Sequence, residues 1–192
     1  MVRLLLEYGP DINACGEAYG NSLYNASLGG HEQIVRLLLE NGADANVHRQ
    51  GIYQYGNALQ AASARGYEQI VRLLLENGAD INAQGGNYGN ALQVASQGLE
   101  KRSHFERHCR PTRRTPLTTI VQLLLDSGAD VNAQGGSYGN ALCAASSNGQ
   151  EQVVRLLLEN GASVNSQGGN HGSALQAASL EGYEQIVRLL LE

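Results

Sequence analysis

The chain reads as an all-α solenoid of stacked helix–turn–helix units with extended finger loops. Two observations predict this. The first is self-similarity. The stretch YGNALQAASARGYEQIVRLLLENGADINA, from Tyr55 to Ala83, has near-copies starting at Tyr19, Tyr88, Tyr138 and His171. The leucine triplet beginning at Leu4 recurs at Leu37, Leu73, Leu123, Leu156 and Leu189, in steps of 33, 36, 50, 33 and 33. The period is therefore 33, with one insertion of three residues and another of seventeen. A period of that length marks a repeat array, which has no single central core. The second observation is the apolar pattern within a unit. Ile70, Val71, Leu73, Leu74 and Leu75 surround most of one helix. A helix that is apolar nearly all round must be buried on several sides, and only stacked neighbours provide that.

Each unit has the same parts. Asn57 can cap a short first helix, Ala58 to about Ala64, because its side-chain oxygen accepts a first-turn amide. Gly66 ends that helix. A second helix runs from about Glu68 to Asn77, and Gly78 supplies the left-handed residue that stops it. Asp80 to Tyr88 is a glycine-rich finger. Small residues on the first helix (Ala58, Ala61, Ala62, Ser63) allow close approach of its partner. Glu68, Arg72 and Glu76 at spacings of four form a solvated charge ladder, which recurs at Glu32/Arg36/Glu40, Glu151/Arg155/Glu159 and Glu184/Arg188/Glu192. The organisation is a half repeat at 1–17, units at 18–47, 54–83, 87–133 and 137–166, and a truncated unit at 170–192. The bare second helices at the two ends, without polar capping variants, are expected of a fragment of a longer array or a truncated product.

Two interruptions stand out. Val47 to Gln54 lengthens a finger and adds His48, Arg49, Ile52 and Tyr53, either as a tolerated surface insertion or as a recognition loop. The second, about 99–116, reads LEKRSHFERHCRPTRRTP. It carries six of the thirteen Lys and Arg against two glutamates, a local +4 that leaves −9 on the rest of a chain whose total is −5. It reads as a disordered surface loop, with a basic patch, a His104/His108/Cys109 metal site and translated non-coding sequence as the competing alternatives. The following helix replaces the charge ladder with Thr118, Gln122 and Asp126.

A 33-residue helix–turn–helix unit ending in G-A-D-x-N resembles the ankyrin repeat. The family's usual T-P-L-H is replaced by Asn57-Ala58-Leu59-Gln60 and Asn90-Ala91-Leu92-Gln93. The wording Y-G-N-A-L-Q-A-A-S with G-Y/H-E-Q-I-V-R-L-L-L-E-N-G-A-D is similar to repeats of large fungal NLR-like (NACHT-type) signalling proteins. The resemblance implies a protein–protein interaction scaffold that binds through its concave face and fingers, within a larger signalling or sensor protein. The alternative is a self-associating array whose uncapped ends stack on other repeats.

The remaining chemistry is sparse. Cys15, Cys109 and Cys143 share no repeat position, so they form neither a disulfide framework nor a zinc site, which fits a reducing compartment. The acidic balance argues against nucleic acid, and no apolar run is long enough to span a bilayer. The chain therefore reads as cytoplasmic, or nuclear, and soluble. No nucleophile–base pair, phosphate loop or ligand cluster is present, so no catalytic activity, cofactor, metal or small-molecule substrate is expected. The best binding candidate is a ladder of one ring per unit: Tyr19, Tyr55, Tyr88, Tyr138 and His171, joined by Tyr53 and Arg65. Each ring either packs across its own turn or serves as an amphipathic anchor. Variable first-helix positions Tyr24, Gln60, Gln93, Cys143 and Gln176 are expected on the same face, with Leu28, Arg65, Gln97, Asn148 and Glu181 just beyond.

Overall fold

The computed structural model describes residues 9, 11–16, 20–48, 54–98 and 115–192. Tyr19, Tyr53, Cys109, the helix expected in residues 1–8 and the basic stretch through Arg114 lie outside the described residues. Among the described residues there are ten helices: α1 Ser22–Gly29, α2 Glu32–Glu40, α3 Ala58–Arg65, α4 Glu68–Glu76, α5 Ala91–Ser96, α6 Leu117–Asp126, α7 Ala141–Ser147, α8 Glu151–Glu159, α9 Ala174–Glu181 and α10 Glu184–Leu191. The odd-numbered helices pack side by side in an inner row. Each even-numbered helix packs behind its own partner, and together these form an outer row.

Local chemistry explains the boundaries. Asn21, Asn57, Asn90, Asn140 and Ser173 sit in extended backbone and accept the amide of Tyr24, Gln60, Gln93, Cys143 and Gln176 respectively. Each thereby satisfies one first-turn donor that the helix cannot pair internally. Inner helices α1, α3 and α9 end on Gly30, Gly66 and Gly182 in the left-handed region, at φ of 73°, 72° and 75°. Outer helices α2, α4 and α8 end on Asn41, Asn77 and Asn160, whose side-chain amides donate to the carbonyls of Leu37, Leu73 and Leu156.

The core is one aliphatic cluster running through the described units, from Leu23 through Val35, Leu59, Val71, Leu92, Val121, Leu142, Val154 and Leu157 to Leu190. Fully burying such a side chain is worth about 1.5–3 kcal/mol. The exposed pairs Glu32–Arg36, Glu68–Arg72, Glu151–Arg155 and Glu184–Arg188 do form. Each contributes only a few tenths of a kcal/mol (about 0.2–0.5), so burial and not the charge ladder holds the array together.

Polar clamps fix the unit-to-unit register. Asp44, Asp80 and Asp130 each accept the backbone amide two residues on, from Asn46, Asn82 and Asn132. The asparagine side chains then reach into the following unit. Asn46 Oδ1 accepts from Asp80 N at 2.7 Å, Asn82 Oδ1 from Asp130 N at 2.9 Å, and Asn132 Oδ1 from Ser163 N at 2.8 Å. Asn46 Nδ2 also donates to the Gly78 carbonyl, and Asn132 Nδ2 to that of Gly161. The Asp is thus the local turn cap, while the Asn ties adjacent repeats together.

Candidate protein-interaction face

The fingers are narrow hairpins, closed by antiparallel bridges between Gly85 and Gly89 and between Gly135 and Gly139. Their tips are joined along the array: Ser137 N donates to Asn87 O, and Asn170 N to Ser137 O, each at 2.8 Å. The approach is close enough that backbone lies on backbone. A Cβ on Gly86 would sit 2.6 Å from Gln54 O, one on Gly136 would sit 2.3 Å from Tyr88 C, and one on Gly169 would sit 2.3 Å from Tyr138 C. Only glycine tolerates such proximity together with the positive φ these three positions adopt.

This backbone packing sets the ring spacing. Tyr55 and Tyr88 have centroids 6.3 Å apart and tilted. Tyr88 and Tyr138 stack at 5.9 Å and 21°, and Tyr138 and His171 at 6.0 Å and 15°. The rings pack on one another from unit to unit, a contact other than packing across each ring's own turn, while Tyr88, Tyr138 and His171 stay half-exposed. Offset aromatic pairs of this kind contribute about 0.5–1.5 kcal/mol beyond their buried area.

The surface differs from expectation at several named positions. Tyr55 is only 1% exposed and Arg65 only 5%, so neither meets solvent as a contact residue does. The Arg65 guanidinium lies 5.9 Å from the centre of the Tyr55 ring. Tyr24 and Tyr55 join Ala61, Ala64 and Val94 in a second small core. Gln60, Gln93 and Cys143 are likewise buried, as is Gln97. Of the other positions expected on that face, Gln176 and Glu181 are exposed, while Leu28 and Asn148 are half-buried.

Two buried glutamines staple their inner helices, α3 and α5, to the next finger. Gln60 Oε1 accepts from Gly56 N at 2.6 Å, and its Nε2 donates to the carbonyls of Ala83 at 3.0 Å and Gly89 at 2.9 Å. Gln93 Oε1 accepts from Asn90 N at 2.8 Å, and its Nε2 faces the carbonyls of Ala133, Gly135 and Gly139 at 3.1–3.2 Å. The Asn-x-x-Gln spacing is that of a capping box, which signals the local bond between Gln93 and Asn90 N but not the reach to the next finger.

Cys143 stands at the staple position of its unit and makes a poorer one. Its thiol donates to the Gly172 carbonyl at 3.7 Å. Burial pushes the Cys143 thiol above its ordinary value of 9.0, against a smaller opposing pull from the hydrogen bond with Asn140. A raised folded-state pKa means the proton is held more tightly in the fold. The associated stability is complete below pH 9.0 and declines as pH rises above it. At pH about 8 a thiol reagent should modify exposed Cys15 rapidly and buried Cys143 only on opening. Peptide mass mapping with and without urea checks this, and equal native-state rates would contradict the burial. Replacing Cys143 with Gln should raise stability by about 1 kcal/mol by completing the staple, measured from the urea midpoint.

The outer row leaves a groove between α4, α6 and α8, lined by Arg72, Gln122, Asp126 and Arg155. Both arginines are held by glutamates of their own helices. Among the described residues, no group of three His, Cys, Asp or Glu could hold a metal ion, and no helix is long and apolar enough to cross a membrane.

Paired helices stacked in two rows, with hairpin fingers bonded tip to tip, define an all-α repeat solenoid. The family model for ankyrin repeats matches residues 1–85, 23–101 and 112–192. The chain belongs to the ankyrin-repeat family, whose members are generally non-enzymatic protein–protein interaction modules. No curated protein matches the chain.

Proposed function

We propose that the chain binds a protein partner non-covalently along the finger edge of its inner face, with Tyr88, Tyr138 and His171 as anchors. The observation that carries this reading is the half-exposed stack of those rings on glycine-locked fingers. Rigid, amphipathic rings lose little side-chain freedom on binding and are enriched at interaction hot spots. The similarity of the repeats to fungal NLR-like proteins supports a partner-recruiting role within a larger signalling or sensor protein. Affinity capture followed by mass spectrometry, with the native chain and with Tyr138→Ala, tests the assignment. The captured partner should weaken by about tenfold or more with Tyr138→Ala while the helical circular-dichroism melt persists. An unchanged captured set from a folded Tyr88→Ala/Tyr138→Ala double variant would refute it.

A second reading, self-association, is favoured by Leu180 and Leu191, which are 74% and 69% exposed on α9 and α10. Light scattering over a concentration series should show growth in mass that Leu180→Lys abolishes. A constant monomer mass rejects this reading.

A further inference from the structure

The distribution of charge specifies the kind of partner the ring ladder accepts. Residues 20–30, 54–64, 83–98, 133–150 and 164–180 contain no Asp, Glu, Lys or Arg. These runs supply the inner helices, apart from the last residue of α3 and of α9, and the fingers closed by the Gly85–Gly89, Gly135–Gly139 and Gln167–Ser173 bridges. Those two residues are Arg65, which is buried, and Glu181. Among the described residues outside these runs, charge lies mainly on the outer row, in the Glu–Arg ladders, and at the turns in Asp44, Asp80 and Asp130. Over the described residues from 54 to 98 and 115 to 180, the array has a charged back and, with Arg65 buried, an uncharged front.

We propose that the front takes a charge-free peptide segment of its partner, carrying aromatic and amide side chains. The inference rests on the reading of the ladder as the contact surface. A partner carboxylate or ammonium pressed against this face would lose water and meet no counter-charge, and that desolvation goes unrepaid. A carboxylate is repelled further by the net charge of −5. A cationic segment is drawn away from the front, because the exposed carboxylates of Glu40, Glu76 and Glu159 stand on the outer row. Uncharged groups find what they need at the front. The half-exposed rings offer apolar contact, and the exposed side chains of Gln84, Asn87, Gln134 and Asn170 offer adaptable hydrogen bonding. Tyr, Ser, Gly and Asn together are the composition by which loop-built recognition surfaces bind without relying on charge.

A random peptide library displayed on phage and selected against the whole chain at pH about 7.5 tests this, with affinities of the enriched peptides measured by titration calorimetry. The enriched sequences should be depleted of Asp, Glu, Lys and Arg. Their affinity should change less than about twofold between about 50 and about 500 mM NaCl. It should fall about tenfold or more with Tyr138→Ala, and with Tyr88→Ala as a second variant, each shown to be folded by its melt. Charged peptides whose affinity drops steeply with salt, yet still depends on Tyr138, overturn the charge-free partner and leave the ladder as the contact surface. Peptides indifferent to both tyrosine variants overturn both readings, as does a failure of any sequence to enrich.

Discussion

Gly136→Ala should cost about 2–5 kcal/mol of folding stability, among the largest losses expected from adding a single methyl group to this chain. Two terms contribute. Gly136 has φ of +62°, where an alanine costs about 1–2 kcal/mol. Its Cβ would also stand 2.3 Å from Tyr88 C and 2.5 Å from Gly89 N, and both are backbone atoms that cannot rotate aside. Forcing such an overlap into a packed site costs about 1–3 kcal/mol more. Gly161→Ala separates the two terms. It has a similar φ of +84° but nothing within 4 Å of the added carbon, so it should lose the conformational term alone. Urea midpoints of both variants against the parent chain measure the difference, and equal losses would disprove close finger contact. Gly136→Ala should also weaken the near-ultraviolet circular dichroism, since with no Trp and a single Phe that signal comes from the tyrosines whose spacing the fingers set.

That same contact marks where sequence reasoning stops. Helix caps were legible because they are local. Asn57, Gly66 and Gly78 act within a few residues of where they stand, and the structure places α3 and α4 close to the expected boundaries. The period announced stacking because an all-round apolar helix has no other solution. The contents of each junction are a different matter, since their partners lie about one repeat apart. Asn46 reads as a turn residue until Asp80 N is found on its side chain. Gln60 reads as a polar, surface-facing side chain. A helix of only eight residues buries whichever side meets the finger, and apolar periodicity does not report that a glutamine fills a polar slot between backbone carbonyls. Tyr55 and Arg65 fail as exposed anchors for a related reason. Equivalence of position along a repeat array fixes direction, while burial depends on neighbours, and the ladder changes from buried at Tyr55 to half-exposed at Tyr88, Tyr138 and His171.

Gln93→Leu is the second large effect, with an expected cost of about 2–4 kcal/mol despite a gain in apolar character. Leucine branches one carbon earlier than glutamine but is close to it in volume, so the substitution empties little space. What it removes is the partner of Asn90 N and a donor shared among the carbonyls of Ala133, Gly135 and Gly139. Asn90 stays buried, and the carbonyls on the finger side lose the group that held them against α5. A buried polar atom left without its partner costs about 1–3 kcal/mol, whereas a hydrogen bond added where water served before returns only about 1. The loss at Gln93 should therefore exceed the gain from Cys143→Gln, although both substitutions concern the same staple. Because the staple joins α5 to the finger of the following unit, Gln93→Leu should also lower the slope of urea unfolding by loosening the coupling of residues 87–98 to the units after them. A loss under about 1 kcal/mol with an unchanged slope would mean that the glutamine is merely accommodated.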